Sequence, residues 1–265
     1  MEVAHTSDGT VSYRATGHGS PLVMVMGYSG SMDAWEPAFV DALARSHQVF
    51  IFDNAGIGQT APLPGTLTID AMAGQTAALI SALGLHRPAV LGWSMGGMIA
   101  QALAVEHPED VGRLILCATL PGNSHATAPS SAAAAALANP GASNLSALLG
   151  LMFPPGHLAA EKAFIAGITT YPHLYLAPAA VDAAQLSAIV AWLAGSDPAG
   201  RRISSISVPT LVADGADDEL VPEANDEELA KVIPHASLVI YPDAGHGFLF
   251  QDAPQVVARI DSFLS

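Results

Sequence analysis

A serine flanked by two glycines lies in the most chemically informative stretch of the chain. Residues 92–96 read Gly-Trp-Ser-Met-Gly, the pattern Gly-x-Ser-x-Gly with Ser94 at its centre. The apolar run Ala89–Leu91 precedes it, and the helix-forming run Met98–Glu106 follows. The pattern alone arises by chance in a chain with 24 glycines, but a strand before it and a helix after it favour a functional turn. Such a turn strains the serine backbone and exposes its hydroxyl, so Ser94 is predicted to be a nucleophile.

A serine hydroxyl becomes a good nucleophile only when a base removes its proton. Of the ten histidines, His246 is the candidate because it lies in a glycine-flanked loop directly after the last predicted strand. The loop after the predicted strand Val208–Ala213 contains two adjacent carboxylates, Asp217 and Asp218, and either would hold the imidazole in the required tautomer. These loops share one edge of a parallel sheet with Ser94, where open α/β sheets bind ligands. Physical reasoning leaves the choice between the two aspartates open.

Acyl transfer also requires N–H donors that stabilise the developing oxyanion. Met95, the residue after the serine, supplies one backbone N–H. The loop after the predicted strand Pro21–Met26 supplies the second, and we expect it to be the N–H of Tyr28, because Gly27 lets the backbone come close. The phenol of Tyr28 is either a further donor or an aromatic wall of the pocket.

Strands and helices alternate along most of the chain. A hairpin is predicted around Asp8-Gly9, and predicted strands follow at Pro21–Met26, Val49–Phe52, Ala89–Leu91, Leu114–Ala118, Val208–Ala213 and Leu238–Tyr241. Predicted helices lie at Asp33–Ala44, Ile69–Leu83, Met98–Glu106, Asn225–Val232 and Pro254–Leu264. This alternation predicts an α/β fold with a mostly parallel central sheet flanked by helices.

The alternation stops between residues 122 and 207. Helix-like pieces occur there at Ser131–Ala138, Ser143–Met152, Glu161–Thr169 and Asp182–Leu193, without a convincing strand. We therefore expect residues 122–207 to form a helical cap on a core domain made of residues 1–121 and 208–265. Part of its apolar surface should roof the pocket, and the rest should pack the cap itself. The predicted substrate-binding residues are Met152, Phe153 and Trp192 in the cap, together with Trp93 beside the serine.

Composition and charge exclude several classes of partner. The formal net charge is −15, with nine Lys and Arg residues, which argues against nucleic acid and anionic membranes. The N-terminal residues lack a signal-peptide pattern, and no apolar run reaches the about 18 residues that span a bilayer. We expect a cytoplasmic monomer or homodimer that acts on a small molecule.

Neither a disulfide, a metal nor a cofactor is expected. The single cysteine, Cys117, lies in an apolar run and is predicted to be a buried small hydrophobe. The histidines lack metal-ligand spacing. Gly56, Gly58 and Ala61 match a dinucleotide fingerprint only formally, because prolines follow where a helix would begin.

The whole chain resembles the α/β-hydrolase-fold superfamily, as a serine esterase-like member with a helical cap. Residues 92–97 resemble the nucleophile elbow, and Gly245-His246 resembles the histidine loop. Residues 215–222 resemble the acid loop, in which the aspartate lies four residues before the proline. The resemblance therefore implies that Asp218, rather than Asp217, is the acid.

Two segments depart from the superfamily pattern. Residues 53–60 resemble the segment after the fourth strand, but Ala55 stands where an arginine is usual. Met26-Gly27 stands where many members carry His-Gly before the oxyanion donor. Because that donor is a backbone N–H, we expect the oxyanion hole to persist with a different support.

The predicted activity is hydrolysis of a carboxylic ester or lactone of a small to medium apolar substrate, through an acyl-enzyme. Ser94, Asp218 and His246 form the predicted triad. Cofactor-free perhydrolysis of the haloperoxidase type and C–C bond hydrolysis are alternatives that use the same residues. A ligand receptor with a hydrolase fold is an alternative from another class, and tight binding with slow or absent turnover would distinguish it.

Overall fold

One mostly parallel sheet organises the molecule, for which a computed structural model describes residues 1–122, 125–138, 145–172 and 175–265. Within these ranges the strands are β1 (Glu2–Thr6), β2 (Gly9–Thr16), β3 (Ser20–Val25), β4 (His47–Phe52), β5 (Ala89–Trp93), β6 (Arg113–Cys117), β7 (Thr210–Gly215) and β8 (Ala236–Tyr241). They form one sheet in the order β1-β2-β4-β3-β5-β6-β7-β8. The helices are α1 (Pro37–Leu43), α2 (Ile69–Ala82), α3 (Met95–Glu106), α4 (Ser131–Leu137), α5 (Leu145–Met152), α6 (Leu158–Ile168), α7 (Ala179–Leu193), α8 (Ala224–Val232), α9 (Phe248–Gln251) and α10 (Ala253–Leu264).

The strand directions bring the predicted functional loops to one edge of the sheet. β1 and β2 form the predicted antiparallel hairpin, and β2 also pairs antiparallel with β4. From β3 to β8 every pairing is parallel. The loops after β3, β5, β7 and β8 therefore leave the sheet at the same edge. The predicted α/β fold class is confirmed.

The strands are apolar on both faces because helices cover both sides of the sheet. Side chains alternate between faces along a strand, so neighbours such as Val90 and Leu91 enter different cores. The core that contains Val90 also holds Met72 and Ile99 of α2 and α3. The core that contains Leu91 also holds residues of α1 and α10. Burial on both faces keeps the central strands rigid beneath the site.

The predicted helix Asp33–Ala44 is wrong in its first half. The chain forms a short 3-10 turn at Met32–Ala34 and begins α1 only at Pro37. Proline disfavours helical backbone in the residue before it, and it lacks the N–H that would continue a helix. The Glu36 side chain then caps α1 by accepting the Phe39 N–H at 2.9 Å.

Four α-helices, α4 to α7, lie between β6 and β7 in the described part of this region. The helix α6 begins at Leu158 and α7 at Ala179, three residues earlier in each case than the sequence indicated. Residues 143 and 144 of the predicted helix Ser143–Met152 lie outside the described residues. The assignment of residues 122–207 to a separate cap stays a prediction, and we call the helices α4 to α7 the cap helices.

In the described ranges, no helix combines the length and the apolar character that crossing a bilayer requires.

Candidate active site

The turn between β5 and α3 holds Ser94 in a strained conformation. Its φ is 59° and its ψ is −123°, a region that residues with side chains rarely adopt. A Cβ on Gly92 would collide with the backbone of Gly96, and one on Gly96 would collide with the Val25 carbonyl of β3. Only glycines at these two positions let α3 leave the sheet so sharply.

Contacts from the end of β6 and from Thr119, two residues beyond it, hold the Ser94 backbone in the turn. The Ser94 N–H donates to the Cys117 carbonyl at 2.9 Å. The Thr119 hydroxyl donates to the Ser94 carbonyl at 2.7 Å. The half-buried Ser94 side chain makes no capping hydrogen bond to α3. Cys117 itself is buried, as predicted, and burial raises the pKa of its thiol, so it stays a neutral apolar group.

His246 and Asp218 form a buried pair. The Nδ1 of His246 lies 2.6 Å from the Asp218 Oδ2, and both residues are almost fully buried. The other carboxylate oxygen, Oδ1, accepts the N–H groups of Leu220 and Val221 at 2.7 and 2.9 Å. Asp217 is exposed. With a proton on Nδ1 donated to the carboxylate, Nε2 carries a free lone pair and can accept a proton.

The histidine loop is held from two sides. The Trp93 indole N–H donates to the His246 carbonyl at 3.0 Å, and the two rings lie 5.4 Å apart. The end of α5 supplies two acceptors, because the His246 N–H donates to Leu151 O at 3.1 Å and the Gly247 N–H donates to Met152 O at 2.9 Å. The residue before the serine and a cap helix therefore both position the imidazole.

Two further carboxyl groups lie buried next to the acid loop. Burial, together with the charges of Asp218 and Asp226, raises the pKa of Asp214. Burial raises the pKa of Asp226 to about 8, although its interaction with Asp214 opposes the shift. A side-chain hydrogen bond joins the Asp214 and Asp226 carboxyl groups. Burial thus favours the protonated form of both carboxyl groups beside Asp218.

The loop after β3 lies directly against the serine. A Cβ on Gly27 would lie 3.1 Å from both the Ser94 Cβ and the Trp93 carbonyl oxygen, a tighter contact than most real Cβ atoms make, so glycine suits this close approach. Among the backbone hydrogen bonds of the described chain, neither the Tyr28 nor the Met95 N–H donates to a carbonyl. Burial, with a smaller contribution from Asp182, raises the pKa of the Tyr28 phenol, which stays protonated. Two free N–H donors near the serine match what an oxyanion hole requires.

Three side chains that sequence reasoning missed support this loop. The Asn54 amide donates to Met26 O at 2.9 Å, and the Asp53 carboxylate accepts the Met32 N–H at 2.7 Å. The Gln185 side chain in α7 accepts the Ser29 N–H at 2.8 Å. Asn54 and Asp53 directly follow β4, so their position at the active edge was a usable signal. Gln185 is 156 positions away from Ser29, and no local pattern marks it.

The predicted substrate-binding residues have different surroundings. Trp93 packs behind His246, and Met152 is half-buried beside the histidine loop. Phe153 packs against Phe164 inside the cap at 5.6 Å between ring centres. Trp192 is fully buried and donates its indole N–H to Leu120 O at 3.0 Å. Phe153 and Trp192 therefore fill packed interiors, and we do not assign them to substrate contact.

One group of potential metal ligands occurs within the described residues, away from the serine. Single ligand atoms of His107, Glu109 and Asp110 lie within 4.8 Å of one another. His107 follows the last residue of α3, whereas Ser94 precedes its first. The chemistry of the serine turn involves none of these side chains.

Comparison with known proteins defines the class. The alpha/beta hydrolase fold family matches residues 20–144, and the dienelactone hydrolase family matches residues 173–261. A putative carbamate hydrolase from Azorhizobium caulinodans is 30% identical over 261 residues, which cover 94% of this chain and 92% of that protein. A putative non-heme bromoperoxidase from Mycobacterium tuberculosis is 29% identical over 270 residues, which cover 96% of this chain and 98% of that protein.

A solved structure agrees with these sequence relatives. An alpha/beta hydrolase fold protein from Chitinophaga pinensis superposes with a TM-score of 0.85 and 28% identity, covering 100% of this chain and 96% of that one. The chain belongs to the alpha/beta hydrolase superfamily, as the motifs predicted, and is a hydrolase of that fold.

Proposed function

We propose that the protein hydrolyses carboxylic esters through a covalent acyl-enzyme on Ser94. The observation that carries the proposal is the pair formed by His246 Nδ1 and Asp218 Oδ2, which lie 2.6 Å apart. The pair lies at the same sheet edge as Ser94, whose backbone is strained and whose side chain makes no capping hydrogen bond to α3. An imidazole oriented by a buried carboxylate is the base that a serine nucleophile needs.

The reaction proceeds in two halves. His246 Nε2 accepts the Ser94 proton as Oγ attacks the carbonyl carbon, and Asp218 stabilises the imidazolium. The N–H groups of Met95 and Tyr28 donate to the oxyanion of the tetrahedral intermediate. His246 then gives the proton to the departing alkoxide. In the second half it takes a proton from water as the water oxygen attacks the acyl-enzyme, and it returns that proton to Ser94 Oγ when the bond to the acyl group breaks and the acid leaves.

The proposed substrates carry a small to medium apolar acyl group. The half-buried Met152 lies beside the histidine loop, and Gly27, the residue before Tyr28, lies against the Ser94 side chain. Lactones are included, because an internal ester presents the same carbonyl carbon to the nucleophile. Anionic acyl groups are disfavoured by the chain's net charge of −15.

Initial rates on p-nitrophenyl esters of increasing acyl length test the proposal. We expect turnover by the wild type with an optimum at short to medium chains. Ser94→Ala should reduce kcat by about 10⁴-fold or more while thermal unfolding stays unchanged, since the hydroxyl makes no contact that the fold needs. Ester turnover that survives in Ser94→Ala would refute the assignment.

Perhydrolysis is the second candidate, and one relative named as a putative bromoperoxidase favours it. Hydrogen peroxide would then replace water as the nucleophile that attacks the acyl-enzyme, giving a peracid. Competition between water and peroxide on the same acyl-enzyme, measured as peracid formed per ester consumed, distinguishes the two. Peracid as the main product at millimolar peroxide would favour perhydrolysis.

A further inference from the structure

A glutamine of the cap helices reaches the loop that carries the predicted oxyanion donor. The Gln185 side chain extends from α7 and is fully buried. Its Oε1 accepts the Ser29 N–H at 2.8 Å. Ser29 directly follows Tyr28, whose N–H is the donor proposed above. The contact therefore fixes the peptide next to the one that stabilises the oxyanion.

The backbone at this position needs an external support. Ser29 has a φ of 61°, a left-handed conformation that is uncommon for a residue with a side chain. A strained residue of this kind persists when surrounding contacts overdetermine it. The hydrogen bond to Gln185 is the contact that holds the Ser29 N–H in place.

The other half of the same amide indicates why a glutamine is present. The Gln185 Nε2 is buried and has no hydrogen-bond partner within the described residues. A buried donor without a partner lowers folding stability, so an apolar side chain of similar size would suit a purely structural position better. The feature that glutamine supplies here is its carbonyl contact with the loop.

α7 and the residues before it also pack against two neighbouring loops, and these contacts hold the helix in place. A Cβ on Gly56 would lie 2.9 Å from a methyl group of Val181, which is one turn before Gln185 on α7. Leu176, just before the helix, forms an isolated antiparallel bridge with Gly30. The loop after β3 is thus in contact with α7 at Ser29 and with the residue Leu176 before α7 at Gly30.

We propose that Gln185 is a positioning residue of the oxyanion hole, which aligns the Tyr28 N–H through Ser29. The inference rests on the proposed function, because it concerns the same acyl-transfer chemistry. It assigns the cap helices an influence on the chemical step that acts through Ser29.

Gln185→Met tests this role, since methionine is similar in size and lacks the acceptor. On a p-nitrophenyl ester we expect kcat to fall about tenfold and KM to change less than about threefold, because the oxyanion forms only after binding. The rate constant for phosphonylation of Ser94 by a fluorophosphonate should fall in parallel. Ser187→Ala, an exposed substitution on the same helix, should behave as the wild type.

A conservative variant and a folding measurement separate positioning from packing. Gln185→Glu keeps an oxygen acceptor at the same reach and should retain phosphonylation within about threefold of the wild type. Thermal unfolding of Gln185→Met should change little, because the unpartnered amino group is removed with the acceptor. If Gln185→Met does not fold, a folded Gln185→Glu with a large loss of phosphonylation overturns the inference, and retained phosphonylation supports it.

The outcomes also separate this inference from the proposed function. A wild-type protein that is labelled on Ser94, with folded Gln185→Met labelled equally fast, overturns the inference alone. A wild-type protein that is not labelled overturns the proposed function and the inference with it.

Discussion

At the scale of single residues, burial distinguishes the two candidate acids. Spacing along the chain placed Asp217 and Asp218 in the same loop, and no physical argument from the sequence separated them. In the structure Asp218 is buried against His246 while Asp217 faces solvent. The superfamily resemblance implied that Asp218 is the acid, and this geometry agrees with it. That Asp218 supports catalysis stays a prediction.

Exchanging each carboxylate for an amide tests that consequence. Asp218→Asn should reduce kcat by about 10³–10⁴-fold, because an amide can favour the wrong imidazole tautomer and cannot stabilise imidazolium. Asp217→Asn removes the same charge from an exposed neighbour and should change kcat by less than about twofold. Rates at pH 7 on one ester decide the point, and the reverse order of effects would mean that Asp217 is the acid.

Residue types and order along the chain singled out Ser94, His246, Tyr28 and Met95 as candidates because a local motif marks each of them, and their catalytic roles stay predictions. The same reasoning missed Asn54 and Gln185. Each supports the loop after β3 through a contact between segments far apart in sequence. Such pairings depend on how the segments pack in three dimensions, which no local pattern encodes.

At the scale of elements, the acid loop and the start of α8 form an acidic interior. Asp214 is the last residue but one of the fully buried strand β7, Asp226 lies in the first turn of α8, and neither is exposed to solvent. The sequence analysis assigned no role to either residue. Their raised pKa values arise from burial, which only the packing of α8 against the sheet creates.

Stability should therefore fall as the pH rises. The pKa of Asp226 is raised from 3.8 to about 8, so between these values the folded chain keeps a proton that the unfolded chain releases. Asp226→Asn removes this difference. The gain in unfolding free energy of the variant over the wild type should be larger at pH 8 than at pH 5 by at least about 1 kcal/mol.

Urea unfolding at the two pH values measures this, with Glu227→Gln as the matched control. Glu227 is the exposed neighbour of Asp226 on α8, so its substitution should give the same stability difference at both values. A gain for Asp226→Asn that does not grow with pH would show that the buried carboxyl is ionised in the folded protein.

Helix boundaries show the same limit of local reasoning. The apolar spacing of residues 33–44 predicted one helix, whereas Pro37 and the Glu36 cap start α1 late. This error was avoidable, because both the proline and the capping carboxylate are visible in the sequence. The predicted helices Ile69–Leu83, Asn225–Val232 and Pro254–Leu264 match α2, α8 and α10 to within one residue at each end, whereas the bounds of several parallel strands differ by two residues.

At the scale of the whole molecule, the alternation of strands and helices predicted the sheet, its direction and the edge that carries the site. What it left undetermined is how the cap helices meet that edge. In the structure they contact two of the site's loops. The end of α5 accepts the N–H groups of His246 and Gly247, and α7 accepts the Ser29 N–H. The cap helices and the sheet together define the position of the proposed catalytic groups.

The central claim is that Ser94 is an activated nucleophile. Intact-mass analysis after treatment with a small fluorophosphonate tests it most directly, with Ser94→Ala treated in parallel. We predict one covalent adduct on the wild type, located on Ser94 by peptide mapping, and none on Ser94→Ala. A folded wild-type protein without an adduct, or an equal adduct on Ser94→Ala, would contradict the account.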